Sequence, residues 1–332
     1  MKPRADLWYN MGDVLINIEE FFVMKIKSIK DYKGSLKGKK VLLRTDLNVP
    51  IENGQVADDY KLLRQMPTLN YLLKNRAKVI ILSHLGRPDP QKREKKFSLN
   101  PVGKWMEKEL GKKTFVLAED SLGYDSATKI GNLREGQALL LENVRFEQGE
   151  KEDSRVLAKK YSKIADIYVG NAFAVSHRAE ATLSAIKLYL PAYAGFLVKN
   201  EIEHLEMVLK PQSPMTVVLG GAKLKTKIPL INKLKAKADN ILLGGGIANT
   251  FLKARGYEVG KSMIDEDSLA FAAKLKSKKI TLPVDVVVSK KQEAWRPQAI
   301  SVSDVGKDDY IFDIGPETIR LFANYIKTYS TL

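Results

Sequence analysis

Short runs of β-branched and leucine-rich residues recur along the chain: Val41-Leu42-Leu43, Val79 to Leu82, Ala138 to Leu141, Ile167-Tyr168-Val169, Val217-Val218-Leu219, Ile241-Leu242-Leu243, Val286-Val287-Val288 and Ile311-Phe312. They are apolar at successive rather than alternate positions, which predicts strands buried on both faces. Helical patterns lie between them, so the chain reads as βαβ units around parallel sheets. The alternation breaks near Pro191-Ala192-Tyr193-Ala194-Gly195. A helix is predicted from about Phe196 to Leu209, with Leu197, Ile202, Leu205 and Leu209 on one face. Pro211 and Pro214 stop it. The chain has 332 residues, more than twice the roughly 150 of a typical domain. The pattern therefore predicts an α/β domain over residues 24–195. A connecting helix and a second α/β domain fill residues 196–332. Residues 1–23 are read as an N-terminal extension, with Met24 as a candidate start.

Composition removes several classes of chemistry. Cysteine is absent, so there is no disulfide, thiolate nucleophile or Cys-ligated metal. Only His84, His177 and His204 exist, too few for a multi-histidine zinc site. No apolar run reaches the roughly 18 residues of a membrane span, and the first residues lack the uninterrupted apolar core of a signal peptide. The net charge of +16 favours anionic partners. Aromatic-interleaved basic motifs are missing, so a phosphorylated small molecule suits that charge better than nucleic acid.

In open α/β sheets, ligands bind beyond the carboxyl ends of the strands. Four exits in the first half are Arg44-Thr45-Asp46-Leu47-Asn48, Ser83-His84-Leu85-Gly86-Arg87-Pro88, Glu142 to Phe146 with Arg145, and Asn171 to Arg178 with His177-Arg178. Several arginines and histidines at equivalent places in one sheet make a pocket for a multiply anionic small molecule. Exits in the second half are Gly220-Gly221-Ala222-Lys223, Gly244-Gly245-Gly246 and Asp313-Ile314-Gly315-Pro316, with Lys227 close by. Such glycines serve tight strand-to-helix turns. They also let backbone N–H groups approach phosphates. With Lys223 and Lys227 beside them, a nucleotide is the expected ligand. Neither a G-x-x-x-x-G-K-[ST] loop nor a strand–G-x-G-x-x-G–helix fingerprint is present, which excludes a P-loop enzyme and a dinucleotide oxidoreductase. An anion pocket on one domain and a nucleotide site on the other predict phosphoryl transfer with domain closure.

From about Met24 onward the chain resembles the phosphoglycerate kinase family. The matching motifs are Arg44 to Pro50, Ser83 to Pro88, Leu141 to Phe146, Asn171 to Ala179, Gly220 to Lys227, Gly244 to Leu252 and Asp313 to Pro316. The resemblance implies two Rossmann-like, doubly wound parallel-sheet domains joined by a connecting helix and hinge. It implies a cytoplasmic, monomeric enzyme of glycolysis. That enzyme transfers the acyl phosphate of 1,3-bisphosphoglycerate to ADP, giving 3-phosphoglycerate and ATP, with Mg2+ on the nucleotide. Its partners would be these small molecules, with no nucleic acid and no membrane. By motif match, Asp46 and Asn48 would hold the glycerate hydroxyl and carboxylate, with Leu47, Leu85 and Gly86 in the same substrate-binding segments. His84, Arg87, Arg145 and Arg178 would form the basic patch for the 3-phosphate. His177 would serve that patch or a closing interface. Lys223 would neutralise the transferring group and Lys227 would reach the nucleotide phosphates. Gly221, Gly244, Gly245 and Gly315-Pro316 would line the nucleotide.

Two departures stand out. The family's catalytic Arg, six residues before the match to Pro67, is Lys61 here. Lys keeps the charge without the planar fork. The chain also stops before the family's last segments. One of those segments holds the Asp for the nucleotide's magnesium, so no metal ligand is assigned. The second domain is accordingly expected to be incomplete, and the 332-residue chain to have little activity. A non-catalytic phosphoglycerate-binding protein derived from the kinase is the alternative. It fits Lys61 but leaves Lys223, Lys227 and the glycine turns without a purpose.

Overall fold

The computed structural model describes residues 26–291 and 296–332. The extension expected over residues 1–23 lies outside the described residues. The chain divides into two compact units between His204 and Leu205.

The first unit is built from strands β1 (Lys40–Arg44), β2 (Ile51–Glu52), β3 (Gln55–Val56), β4 (Lys78–Leu82), β5 (Phe115–Leu117), β6 (Ala138–Leu140), β7 (Ile167–Gly170) and β8 (Ala192–Ala194). Its helices are α1 (Tyr60–Lys74), α2 (Asn100–Leu110), α3 (Tyr124–Asn132), α4 (Arg155–Ser162) and the start of α5 (Phe196–Leu209). Six strands form one sheet in the order β5-β6-β4-β1-β7-β8, and every pairing is parallel. Successive residues of the central strands feed opposite cores. Val41, Leu43, Val79, Ile81 and Val169 pack with Leu62, Leu69 and Leu72 of α1 and Val102 and Met106 of α2. Leu42, Ile80, Leu82, Leu139 and Tyr168 pack with Ile130 of α3 and Leu157, Ala158 and Tyr161 of α4. This double covering is why the strand interiors are apolar at successive positions. The chain builds to one side of β1 and then returns to the other, so the strand order reverses beside β1. Such a reversal opens a crevice at the carboxyl ends.

A buried polar junction ties α1 to the exit of β7 and to the first turn of α5. Asn171 has no solvent exposure. Its Nδ2 donates to Gln65 Oε1 at 2.8 Å. Its Oδ1 accepts from Thr68 Oγ1 at 3.0 Å and from the Leu197 amide at 3.1 Å. Thr68 Oγ1 in turn accepts from the Phe196 amide at 2.9 Å.

The second unit contains β9 (Thr216–Leu219), β10 (Asn240–Leu243), β11 (Ile280–Thr281), β12 (Asp285–Ser289), β13 (Gln298–Ser301) and β14 (Tyr310–Ile314). Its helices are α6 (Ile228–Lys237), α7 (Gly245–Ala254), α8 (Leu269–Lys274) and α9 (Pro316–Lys327). Strands β11-β10-β9 form a parallel sheet. The runs Val286–Val288 and Ile311–Phe312 depart from the parallel expectation. They lie in a second sheet, β13-β12-β14, which is antiparallel. Eight residues separate Ser289 from Gln298, whereas a parallel crossover needs about a dozen or more. Leu219, Ile241, Leu243, Ile247, Phe251, Val286 and Val288 share one core.

Helix α5 forms over the expected span, but Leu205 is 51% exposed, and the side chain of Leu209 lies outside the description. Phe196 packs on the first unit's core and Val208 on the second unit's. A single apolar stripe is therefore not needed. No helix among the described residues is long and apolar enough to cross a membrane.

A Cβ at Gly195 would fall on the carboxamide of Asn171. Gly195→Ala is expected to cost about 2 kcal/mol by overpacking a junction that cannot relax without losing hydrogen bonds. A lower urea midpoint, with the same slope, is the expected reading. An unchanged midpoint would show that Asn171 moves freely.

Candidate active site

Charge gathers at the carboxyl edge beside β1. A cavity of about 260 Å³ opens there. Asp46 and Asn48 come from the exit of β1, and His84, Gly86 and Arg87 from the exit of β4. Arg145 follows β6, Arg178 follows β7, and Lys61 stands on the first turn of α1. All eight line the cavity, and Ala174 and Val175 complete its wall. Gly86 has φ +60, and a Cβ there would strike the Phe97 ring. That conformation lets its amide donate to Asn48 Oδ1 at 2.8 Å and its carbonyl accept from Arg145 Nη1 at 2.8 Å. Lys61 Nζ lies 3.5 Å from Asp46 Oδ2 and donates to the Asn48 carbonyl at 3.3 Å. Arg64, one turn further on, does not line the cavity.

The remaining expected residues of this site lie elsewhere. Leu47 and Leu85 are buried in the core. Their contribution is backbone: the Leu47 amide donates to Ser83 Oγ, and the Leu85 carbonyl accepts from Asn143 Nδ2. His177 is exposed and outside the cavity wall.

Behind the wall lies a charged layer that sequence reading did not single out as functional. Arg44 is fully buried. It donates to the Thr45 carbonyl at 2.6 Å and to Thr182 Oγ1 at 2.9 Å. The Thr182 hydroxyl donates to Glu150 Oε1 at 2.5 Å, and the Thr182 amide donates to Glu150 Oε2 at 3.1 Å. Glu180 accepts from Arg145 at 2.6 Å. Arg44 belongs to a quoted motif, but Glu150 and Glu180 carry no pattern that spacing alone could flag.

In the second unit, the loops after β9 and β10 meet backbone to backbone. A Cβ at Gly245 would lie 3.3 Å from the Gly221 amide nitrogen, and one at Gly246 would lie 3.0 Å from the Ala222 carbonyl. Gly244 precedes α7, and no side chain caps that N-terminus. The Ile247 amide of its first turn donates to the Gly221 carbonyl at 2.9 Å, and the helix dipole there suits an anion. Lys223 is exposed and Lys227 half-exposed on the same β9 loop. Gly315-Pro316 begins α9 under different conditions. The Asp285 carboxylate already fills that N-terminus, accepting from the Glu317 amide at 3.0 Å, the Thr318 amide at 2.7 Å and Thr318 Oγ1 at 2.6 Å. Among the described residues, no group of three or more His, Cys, Asp or Glu side chains is placed to hold a metal.

Fold and cavity together define an α/β protein with a cation-lined cavity at the carboxyl edge of its first sheet. The family model for phosphoglycerate kinase matches residues 29–332. A phosphoglycerate kinase from Pelotomaculum thermopropionicum is 40% identical over 317 residues, covering 93% of this chain and 80% of the relative. One from Thermosipho africanus is 43% identical over 306 residues, covering 90% and 76%. The solved phosphoglycerate kinase of Coxiella burnetii superposes with a TM-score of 0.79 at 37% identity, covering 92% of this chain and 78% of its own. The chain belongs to the phosphoglycerate kinase family.

The buried layer sets two opposed titrations. Burial, together with the Arg44, Arg145, Arg178 and Lys61 charges, lowers His84 from 6.5 to about 2. His84 is therefore neutral at physiological pH. Arg44 Nη2 faces its Nδ1 at 3.4 Å. A guanidinium can only donate, so the ring proton sits on Nε2. Burial raises Glu150 from 4.5 to about 7. A depressed histidine stabilises the fold above its unfolded pKa, and this contribution is lost as pH falls below 6.5 toward 2. A raised carboxyl stabilises below its unfolded pKa, and this contribution is lost as pH rises from 4.5 through 7. The two effects oppose each other between pH 4.5 and 6.5. Glu150→Gln removes one of them. From pH 7 down to 4.5 the native chain should gain about 3 kcal/mol relative to that variant. Urea midpoints compared across this range would reveal it; parallel pH profiles would exclude it.

Proposed function

We propose that the chain catalyses reversible phosphoryl transfer between 1,3-bisphosphoglycerate and ADP, giving 3-phosphoglycerate and ATP in glycolysis. The carrying observation is the cavity itself. Three arginines, a lysine and a neutral histidine converge on about 260 Å³, just below the ~300 Å³ lower bound of drug-sized pockets. That suits a three-carbon phosphorylated acid.

Each residue has a role that its position supports. Arg87, Arg145 and Arg178 receive the 3-phosphate through forked, charge-assisted hydrogen bonds. His84 offers its Nε2 proton to an anionic oxygen without adding a charge of its own. Asp46 and Asn48 orient the glycerate hydroxyl and carboxylate. Lys61 neutralises the acyl-phosphate end. In the second unit, Lys223 and Lys227 act on the nucleotide phosphates beside the N-terminus of α7. Gly221, Gly244 and Gly245 give those phosphates close backbone approach. A Cβ at Gly244 would meet nothing within 4 Å, so the turn has room for a phosphate. The Asp285 carboxylate shields the N-terminus of α9, so Gly315-Pro316 serves the nucleotide as an apolar wall rather than as an anion site. Mg2+ arrives on the nucleotide and offsets the charge of its phosphates. The enzyme acts as a cytoplasmic monomer.

Calorimetry and a coupled assay test this reading. The chain should bind 3-phosphoglycerate, and Arg87→Ala should weaken that binding about tenfold. ATP consumption that requires 3-phosphoglycerate should fall about 100-fold in Lys61→Ala and persist in Lys61→Arg. Little turnover is what the 332-residue chain is expected to show, so ATP binding decides: 3-phosphoglycerate binding without ATP binding would favour the binding-protein alternative instead.

A further inference from the structure

Glu180 stands one layer behind the cavity and does not line it. It is 4% exposed. Its Oε1 accepts from Arg145 Nη2 at 2.6 Å and lies 3.6 Å from Arg178 Nη1. Its Oε2 lies 3.8 Å from Arg44 Nη2. One carboxylate thus faces three guanidiniums, two of which form the cavity wall. Arg145 has only two anchors. Nη1 donates to the Gly86 carbonyl and Nη2 to Glu180, while its buried Nε has no hydrogen-bond partner. Without Glu180, Arg145 would retain one neutral acceptor and face two like charges across a dry layer.

We propose that Glu180 is a positioning residue for the phosphate-binding arginines, holding Arg145 and Arg178 from the protein side so that they meet the ligand already oriented. The proposal rests on the reading of the cavity as a phosphoglycerate site. Two effects of Glu180 oppose each other. Its negative charge lowers the potential in the cavity, so by field alone its removal would tighten anion binding. Its bonds fix flexible arginine side chains, so by orientation its removal would weaken binding. The short, buried, charge-assisted bond to Arg145 makes orientation the larger effect. The sign of the change therefore separates the two.

The experiment titrates 3-phosphoglycerate and unphosphorylated glycerate into the full chain, Glu180→Ala and Glu180→Gln. Glu180→Ala should weaken 3-phosphoglycerate binding about tenfold. Glu180→Gln is nearly isosteric and keeps one acceptor for Arg145, so it should recover most of that loss. Glycerate binding should change less than about twofold, because glycerate carries no phosphate for these arginines. A general loosening of the unit would weaken both ligands alike. Equal or tighter 3-phosphoglycerate binding in both variants, or an equal loss for glycerate, would overturn the positioning role alone. If the unaltered chain binds no 3-phosphoglycerate, the functional reading falls and this role falls with it.

Discussion

A guanidinium with no access to water must be balanced from inside the protein. Arg44 is such a group, and much of the first unit's carboxyl edge is arranged around it. Thr182 and Glu180 approach it from one loop and Glu150 from another, and His84 turns a lone pair toward it. The layer in front then carries the cations that face the cavity. Positive charge aimed at a ligand is thus supported by a second, nearly dry layer in which cations and carboxylates alternate. This explains how Arg145 can be almost fully buried and still belong to a binding wall.

The two units would meet anions in physically different ways under the proposed function. The first uses side chains: formal charges on long arms, brought to one rim by a parallel sheet. The second uses backbone, where the approach of Gly245 to Gly221 leaves the N-terminus of α7 without a side-chain cap. Asp285 marks the boundary of that strategy. By accepting from the first turn of α9, it supplies from the protein the negative charge that a ligand would otherwise bring. Glycine before a helix is consequently an ambiguous sign. Gly244 and Gly315 both precede one, and only the latter's helix has a carboxylate at its first turn.

Much of this was legible in the sequence. Continuous apolar runs identified every central strand of the parallel sheets, because burial on both faces leaves no polar positions to interrupt them. Strand exits then located Asp46, Asn48, His84, Arg87, Arg145 and Arg178, since chain order fixes which loops share an edge. The antiparallel sheet was missed because Val286–Val288 reads the same in either pairing direction, and only the short link to β13 decides between them. Leu47, Leu85 and His177 were included for belonging to the right segments, yet the two leucines are buried in the core and His177 lies on an exposed turn outside the cavity wall. Glu150 and Glu180 were silent because a partner across a fold leaves no local spacing. They stand 106 and 136 positions from Arg44 in the chain.

The junction at Asn171 has a mechanical aspect. Helix α1 presents Lys61 to the cavity from its first turn. Seven residues later, roughly 10 Å along its axis, Thr68 grips both Asn171 and the opening turn of α5. Gln65 holds the same asparagine from the turn between. The stretch therefore has a charged tip and a clamped shaft, with Pro67 inside the helix one residue before the grip. The clamp is held by buried hydrogen bonds, whereas the half-exposed tip keeps its side-chain freedom. The grip falls at the start of α5, so the helix that presents Lys61 and the opening turn of α5 share one set of buried hydrogen bonds.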